Sequence, residues 1–205
     1  MKKNLIRHNF RMTAVIVITL LVYSIVGKSG SVIAAGTIPP LFSHDLIWNI
    51  ESVYYYINSS ATSYATPIGS AAYNWVHTGY GWNNLYPNTR TYNISNSTID
   101  IYGYNNVDGY NGYTTFWART NGHSGTAFAV DPDQHDWLYN EIYLNGEYLN
   151  TITKQRATSC HEMGHCFGLD ENNTNQYSIM CQESAGRQVN VVQQCDHIAF
   201  NNKHP

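Results

Sequence analysis

Apolar residues recur with two different periods along this chain, and the switches between them mark out its elements. Ser52 to Asn58, β-branched and aromatic, predicts a strand. Ile68, Ala71, Ala72, Trp75 and Val76 then recur at helical spacing. A helix is therefore expected from Pro67 to His77, with the proline near its start and Gly79 just past its end. Thr98 to Gly103 alternates and predicts a second strand, and Gly, Asn and Asp punctuate a loop from Tyr104 to Tyr113. Strands are expected at Thr114 to Ala118 and Thr126 to Val130, with the turn signal Asn121-Gly122 between them, and at Glu141 to Leu144, ahead of Asn145-Gly146. From Thr153 the character changes. Lys154 to Leu169 reads as a helix capped by Thr153, with Gly168 where a helix of this length can stop. A short helix is expected around Val191 to Phe200, and Gly36 to Ile47 looks like an irregular lead-in. Strands mixed with two long helices imply an α+β domain built on a mixed sheet.

The N-terminus follows different rules. Lys2, Lys3, Arg7 and Arg11 precede an apolar run of 15 residues from Met12 to Val26, and small residues suited to cleavage follow at Val32-Ile33-Ala34-Ala35. A membrane-spanning helix needs ~20 apolar residues. Residues 1–35 are therefore expected to be an export signal cut after Ala34 or Ala35, leaving 36–205 as one secreted, extracellular domain. An uncleaved, surface-anchored form is the rival reading.

Removing that segment changes the charge. Five of the 11 Lys and Arg residues lie in it and all 14 Asp and Glu residues lie beyond it, so 36–205 carries a formal charge of −8. A net-acidic chain without a basic run argues against nucleic acid or anionic lipid as a partner. No stable membrane partner is expected once the signal is gone, and a monomer is expected. An aromatic content of 14% argues against disorder.

All four cysteines, Cys160, Cys166, Cys181 and Cys195, sit in the last third of the chain, and an exported protein can oxidise them. Positions 160 and 166 on one helix lie ~9 Å apart along its axis, beyond the ~7 Å limit for a bridge. Each is therefore expected to form a disulfide bond with Cys181 or Cys195. Thiol coordination of zinc is not expected, because no two cysteines have CxxC spacing.

The chemistry concentrates in His161-Glu162-Met163-Gly164-His165-Cys166-Phe167-Gly168. Two histidines four apart on a helix project from one face, spaced to hold one metal through two imidazoles. Glu162 is rotated by ~100° from His161 about the helix axis. That offset keeps it out of the ligand set but beside the water such a metal activates, where a carboxylate can act as general base. Gly168 allows the chain to leave the helix sharply and can bring a third ligand back.

These residues, with Ser178-Ile179-Met180 downstream, resemble the metzincin metalloproteases, most closely the bacterial matrixin-like group, whose pattern is HExxHxxGxxH followed by a turn bearing Met. The similarity is strongest from about Glu141 to Met180. It implies a five-stranded sheet above an active-site helix, a zinc cofactor, Met180 beneath the metal, and a protein or peptide substrate lying extended against the sheet edge. Where the family has its third histidine this chain has Glu171, preceded by Asp170. Glu171 is the first choice for the third ligand by its spacing, and Asp170 the second. Some relatives carry a tyrosine two residues after the Met that assists the oxyanion. Here Gln182 stands in that place.

Other candidates read more plainly. His123, His135 and His197 are expected at the surface, with His197 the spare ligand should Glu171 not serve. Asp131, Asp133 and Asp136 are a calcium candidate that lacks EF-hand spacing. The expectation is a secreted zinc endopeptidase with Glu162 as general base and His161, His165 and Glu171 as metal ligands. A catalytically silent extracellular binding protein of the same fold, an adhesin or decoy, is the alternative, and the presence of Glu162 argues against it.

Overall fold

A computed structural model describes residues 36–205, apart from Trp82, Asn84, 86–88 and His123. The export segment and His123 therefore lie outside the described residues. Six strands form one sheet: β1 (Tyr54–Ile57), β2 (Thr89–Thr91), β3 (Ile99–Tyr104), β4 (Gly112–Asn121), β5 (Ser124–Val130) and β6 (Tyr139–Asn145). Their spatial order is β2-β1-β3-β6-β4-β5. β2, β1, β3 and β6 run parallel, whereas β4 is antiparallel to both β6 and β5. The sheet is thus mixed, as expected, but has six strands among the described residues rather than five. The additional strand, Thr-Arg-Thr, carries no apolar alternation, and its place comes from pairing with β1 at the sheet edge.

Alternation in the strands sets the core. Ile99 and Ile101 of β3 and Ile142 and Leu144 of β6 are buried on one face, while Tyr102 and Tyr143 stack on the other with ring centroids 5.3 Å apart. Of the helices, α1 (Ala65–Val76) packs on α2 (Ile152–Cys166), α2 lies against β4 and β6, and α3 (Gln194–Lys203) joins the same core through Ala199 and Phe200. The five apolar residues that predicted α1 are all buried. The helix starts two residues early because a 3-10 segment, Ser59–Tyr64, runs directly into it. Trp75 of α1 donates its indole N–H to the Cys160 carbonyl of α2 at 2.8 Å and packs edge-on to Phe167, which meets Phe200 of α3. These aromatic contacts tie the three helices together.

Both ends of α2 differ from expectation. Its cap is Thr151, whose hydroxyl accepts from Lys154 N–H, rather than Thr153. Its last helical residue is Cys166, three short of Leu169. Gly168 takes φ +89°, Leu169 N–H donates to Gly164 O and Gly168 N–H to His165 O, so the helix closes in a Schellman motif.

The expected disulfides are not formed. All four cysteines are buried thiols directed at different neighbours. Cys160 faces Ala71 O of α1, Cys181 donates to Gln182 O at 3.5 Å, and Cys195 lies between Asn175 and the Tyr177 carbonyl. Burial pushes the thiols of Cys160 and Cys195 up to about 12. No helix among the described residues is long and apolar enough to cross a membrane.

Candidate metal centre

The second half of α2 is the most buried segment of the helix set, with every residue from Ala157 to Cys166 inside. That segment holds Thr158, Ser159, His161, Glu162 and His165, polar groups that tolerate burial only when their hydrogen bonds are made. His161 Nδ1 lies 2.9 Å from Ile179 O, and His165 Nδ1 lies 2.8 Å from Leu169 O. A carbonyl oxygen can only accept, so each Nδ1 carries the proton and each Nε2 presents a lone pair. The two carbonyls come from different devices. Leu169 is delivered by the Schellman turn, and Ile179 by the turn that places Met180.

The two Nε2 atoms are 3.2 Å apart, and Glu171 Oε1 lies 3.5 Å from each. Among the described residues, His161, His165 and Glu171 are the group of metal-ligating side chains whose donor atoms gather in this way. Asp170 does not join them. Its carboxylate accepts from Glu171 N–H at 2.7 Å, and its own N–H donates to Pro40 O. Gln182 fills a role the sequence did not signal, donating from Nε2 to Glu171 Oε1 at 3.0 Å, while Glu171 Oε2 is buried without a partner.

Three electron-pair donors converging on one point repel one another unless positive charge lies between them. Without a metal that charge is a proton. Burial disfavours the imidazolium of His165, yet the hydrogen bond to Glu171 and the charges of Glu162 and Glu171 outweigh it, pushing its pKa up to about 9. Burial likewise raises Glu171, but the hydrogen bonds and charges of His161 and His165 hold it well below the usual carboxylate range. The donor set also suits zinc. With Zn–N of ~2.0–2.1 Å, two ligands of a tetrahedral ion sit roughly 3.3 Å apart, the spacing these atoms already have. The triangle thus fits a zinc-sized ion without rearrangement.

Glu162 stands beside the triangle without entering it. Its Oε2 accepts from Thr114 Oγ1 of β4 at 2.9 Å. Met180 is fully buried and packs against Gly164, where a Cβ would meet its sulfur at 2.3 Å. The cleft above the triangle has a volume of about 440 Å³ and is bordered by Phe42, residues 109–114, Glu162 and Arg187. Phe42 was not legible as a site residue. It arrives from the lead-in, whose Phe42 N–H donates to Gly168 O, and its ring centroid lies 5.9 Å from that of His165.

The remaining candidates lie elsewhere. His197 binds Asn83 Oδ1 at 2.7 Å and is not part of the triangle, and His135 is exposed. The three aspartates proposed for calcium are engaged locally. Asp131 accepts from Asp133 N–H, Asp133 from Ser43 N–H, and Asp136 from Asp45 N–H.

No known family model matches the chain, and no curated protein matches it in sequence. Among solved structures, a chain from the GM1-bound form of the ECX AB5 holotoxin aligns with a TM-score of 0.37 at 16% identity, covering 75% of this chain and 71% of that one. A likeness of that size carries no argument about fold or function.

Proposed function

We propose that this protein is a secreted, zinc-dependent endopeptidase in which His161, His165 and Glu171 hold the metal and Glu162 moves the proton. The observation that carries the reading is the triangle of two Nε2 atoms and Oε1, with edges of 3.2, 3.5 and 3.5 Å and both Nδ1 protons committed to carbonyls. A zinc ion in that place supplies Lewis acidity toward a peptide carbonyl and brings the pKa of a water near neutrality.

The chain's own residues supply the rest. Thr114 holds Glu162 by Oε2, which leaves Oε1 to accept the proton of the attacking water and hand it to the departing amine. The sheet edge offers the substrate a place. β5 pairs with β4 only from Phe116 onward, so residues 112–115 of β4 are paired on one side only, to β6, and 112–114 of them border the cleft. An extended peptide adds to such an edge by backbone hydrogen bonds. No tyrosine follows Met180 at the position where some metzincins use one, so backbone N–H groups of this edge share the polarisation of the carbonyl with the metal.

Zymography on casein or gelatin, together with elemental analysis of the exported protein, tests this. The expected outcome is one zinc per chain and activity lost in chelator and restored by zinc. Glu162→Ala should abolish activity yet keep the metal, whereas Glu171→Ala should lose both. An exported, folded protein without stoichiometric transition metal, or a fully active Glu162→Ala variant, sinks the proposal and leaves the silent binding protein standing.

A further inference from the structure

The two ends of the cleft differ in chemistry. Beside His165 it is aromatic, with Phe42 packed edge-on to Phe116 at 5.4 Å. Beside His161 stands Arg187, the one lysine or arginine among the described residues that border the cleft. Its Nη1 donates to Ile179 O at 3.4 Å and Cys181 O at 3.2 Å, so it shares the Ile179 carbonyl with His161. Its Nε and Nη2 donate to no described residue, and neither is sealed from solvent. Those two nitrogens form the side-on edge of a guanidinium, the fork that takes a carboxylate through two parallel hydrogen bonds.

No carboxylate among the described residues lies within ion-pair distance of Arg187. The two whose charge acts on it are occupied elsewhere. Glu183 is held by Lys154 at 3.1 Å and by Asn111, and Glu162 by Thr114. Arginine keeps its charge when buried, so a half-buried guanidinium with a free fork calls for an anion.

Resting on the peptidase reading, we infer that Arg187 is a specificity residue that selects substrates with an acidic side chain, Asp or Glu, next to the scissile bond. The substrate carboxylate takes the Nε–Nη2 edge while the aromatic end of the cleft accepts an apolar residue. Neutral amides of the same shape forgo the charge-assisted bonds and are poorer substrates.

Matched quenched-fluorescence peptides test this, each carrying Glu, Gln or Lys at one of the two positions flanking the cleaved bond, with kcat/KM read at low ionic strength. Glu is expected to exceed Gln by at least about tenfold at one position. Arg187→Met should erase that advantage, and Arg187→Glu should turn it toward Lys. Nη1 also braces the turn before Met180, so Arg187→Lys provides a milder variant, expected to keep its zinc and show a reduced Glu advantage because it lacks the fork. Equal kcat/KM for Glu and Gln peptides at both positions overturns the inference. So does a full Glu advantage in any zinc-loaded Arg187 variant. Chelator-sensitive casein cleavage without acid preference removes the role of Arg187 alone, whereas absence of any such cleavage removes the peptidase reading and this inference with it.

Discussion

A single methyl group tests how tightly the centre is packed. A Cβ at Gly164 would stand 2.3 Å from Met180 Sδ and 2.9 Å from Trp75 Cζ2, and both neighbours are fully buried. A thioether is adaptable, but this one is fully buried and already close to Trp75 and Gly164. Alanine is the better helix former by ~1 kcal/mol. Overpacking costs typically ~1–3 kcal/mol, so the clash should win and Gly164→Ala should lower the melting temperature and weaken zinc binding. A thermal melt and a zinc titration check this, and a variant as stable as the parent would mean that Met180 can move aside. That the histidine pair and Glu171 gather, with Glu162 beside them, was legible because it follows from spacing along one helix and its exit turn. Thr114, Gln182 and Arg187 were not, since the fold and not spacing along the helix brings each of them to the site.

Between elements, the carboxylate of Asp196 does most to fix the floor of the site. It lies in the first turn of α3 and accepts from Gln193 N–H at 2.8 Å, Ile179 N–H at 2.9 Å and the Ser178 hydroxyl. The helix start, capped in this way, holds the turn whose Ile179 carbonyl orients His161. Asp196→Asn cannot satisfy all three donors, and a buried donor left unpaired costs ~1–3 kcal/mol. The variant is expected to unfold at lower denaturant and to bind zinc more weakly than the parent. Unchanged zinc affinity in a destabilised variant would show that the clamp serves the fold and not the metal. At this scale α1, α2, β1, β3 and the β4–β5 hairpin were readable from periodicity and turn chemistry. β2 was not, because a three-residue edge strand is defined by its partner. The burial of α2 was also hidden, since its inward residues include polar ones held from outside the helix, His161 by Ile179 O, His165 by Leu169 O and Glu162 by the Thr114 hydroxyl. Cysteine positions constrained which disulfides were geometrically open but not the direction of each thiol, which packing decides.

For the molecule as a whole, stability should depend on pH through an acid far from the metal. Residues 36–205 hold 14 acidic against six basic residues, so the fold carries self-repulsion. Asp100 concentrates it. It is buried on β3 directly across from Glu141 of β6, and it accepts the Ser97 hydroxyl. Burial, opposed by the Ser97 bond and reinforced by the Glu141 charge, raises its pKa from 3.8 to about 6. The folded state thus keeps a proton that the unfolded chain has released, so stability falls as pH rises from about 4 to about 6 and the loss is complete above that. At 1.36 kcal/mol per unit the shift corresponds to about 3 kcal/mol. Asp100→Asn keeps an acceptor for Ser97 and removes the charge. It should therefore raise stability at pH 7.5 and leave it nearly unchanged at pH 4. Zinc binding has its own pH dependence, but that is common to parent and variant and cancels in their difference. Urea unfolding at both pH values therefore isolates the Asp100 contribution, and a parent–variant difference that is the same at pH 4 and pH 7.5 would show that this carboxyl is ionised in the fold throughout.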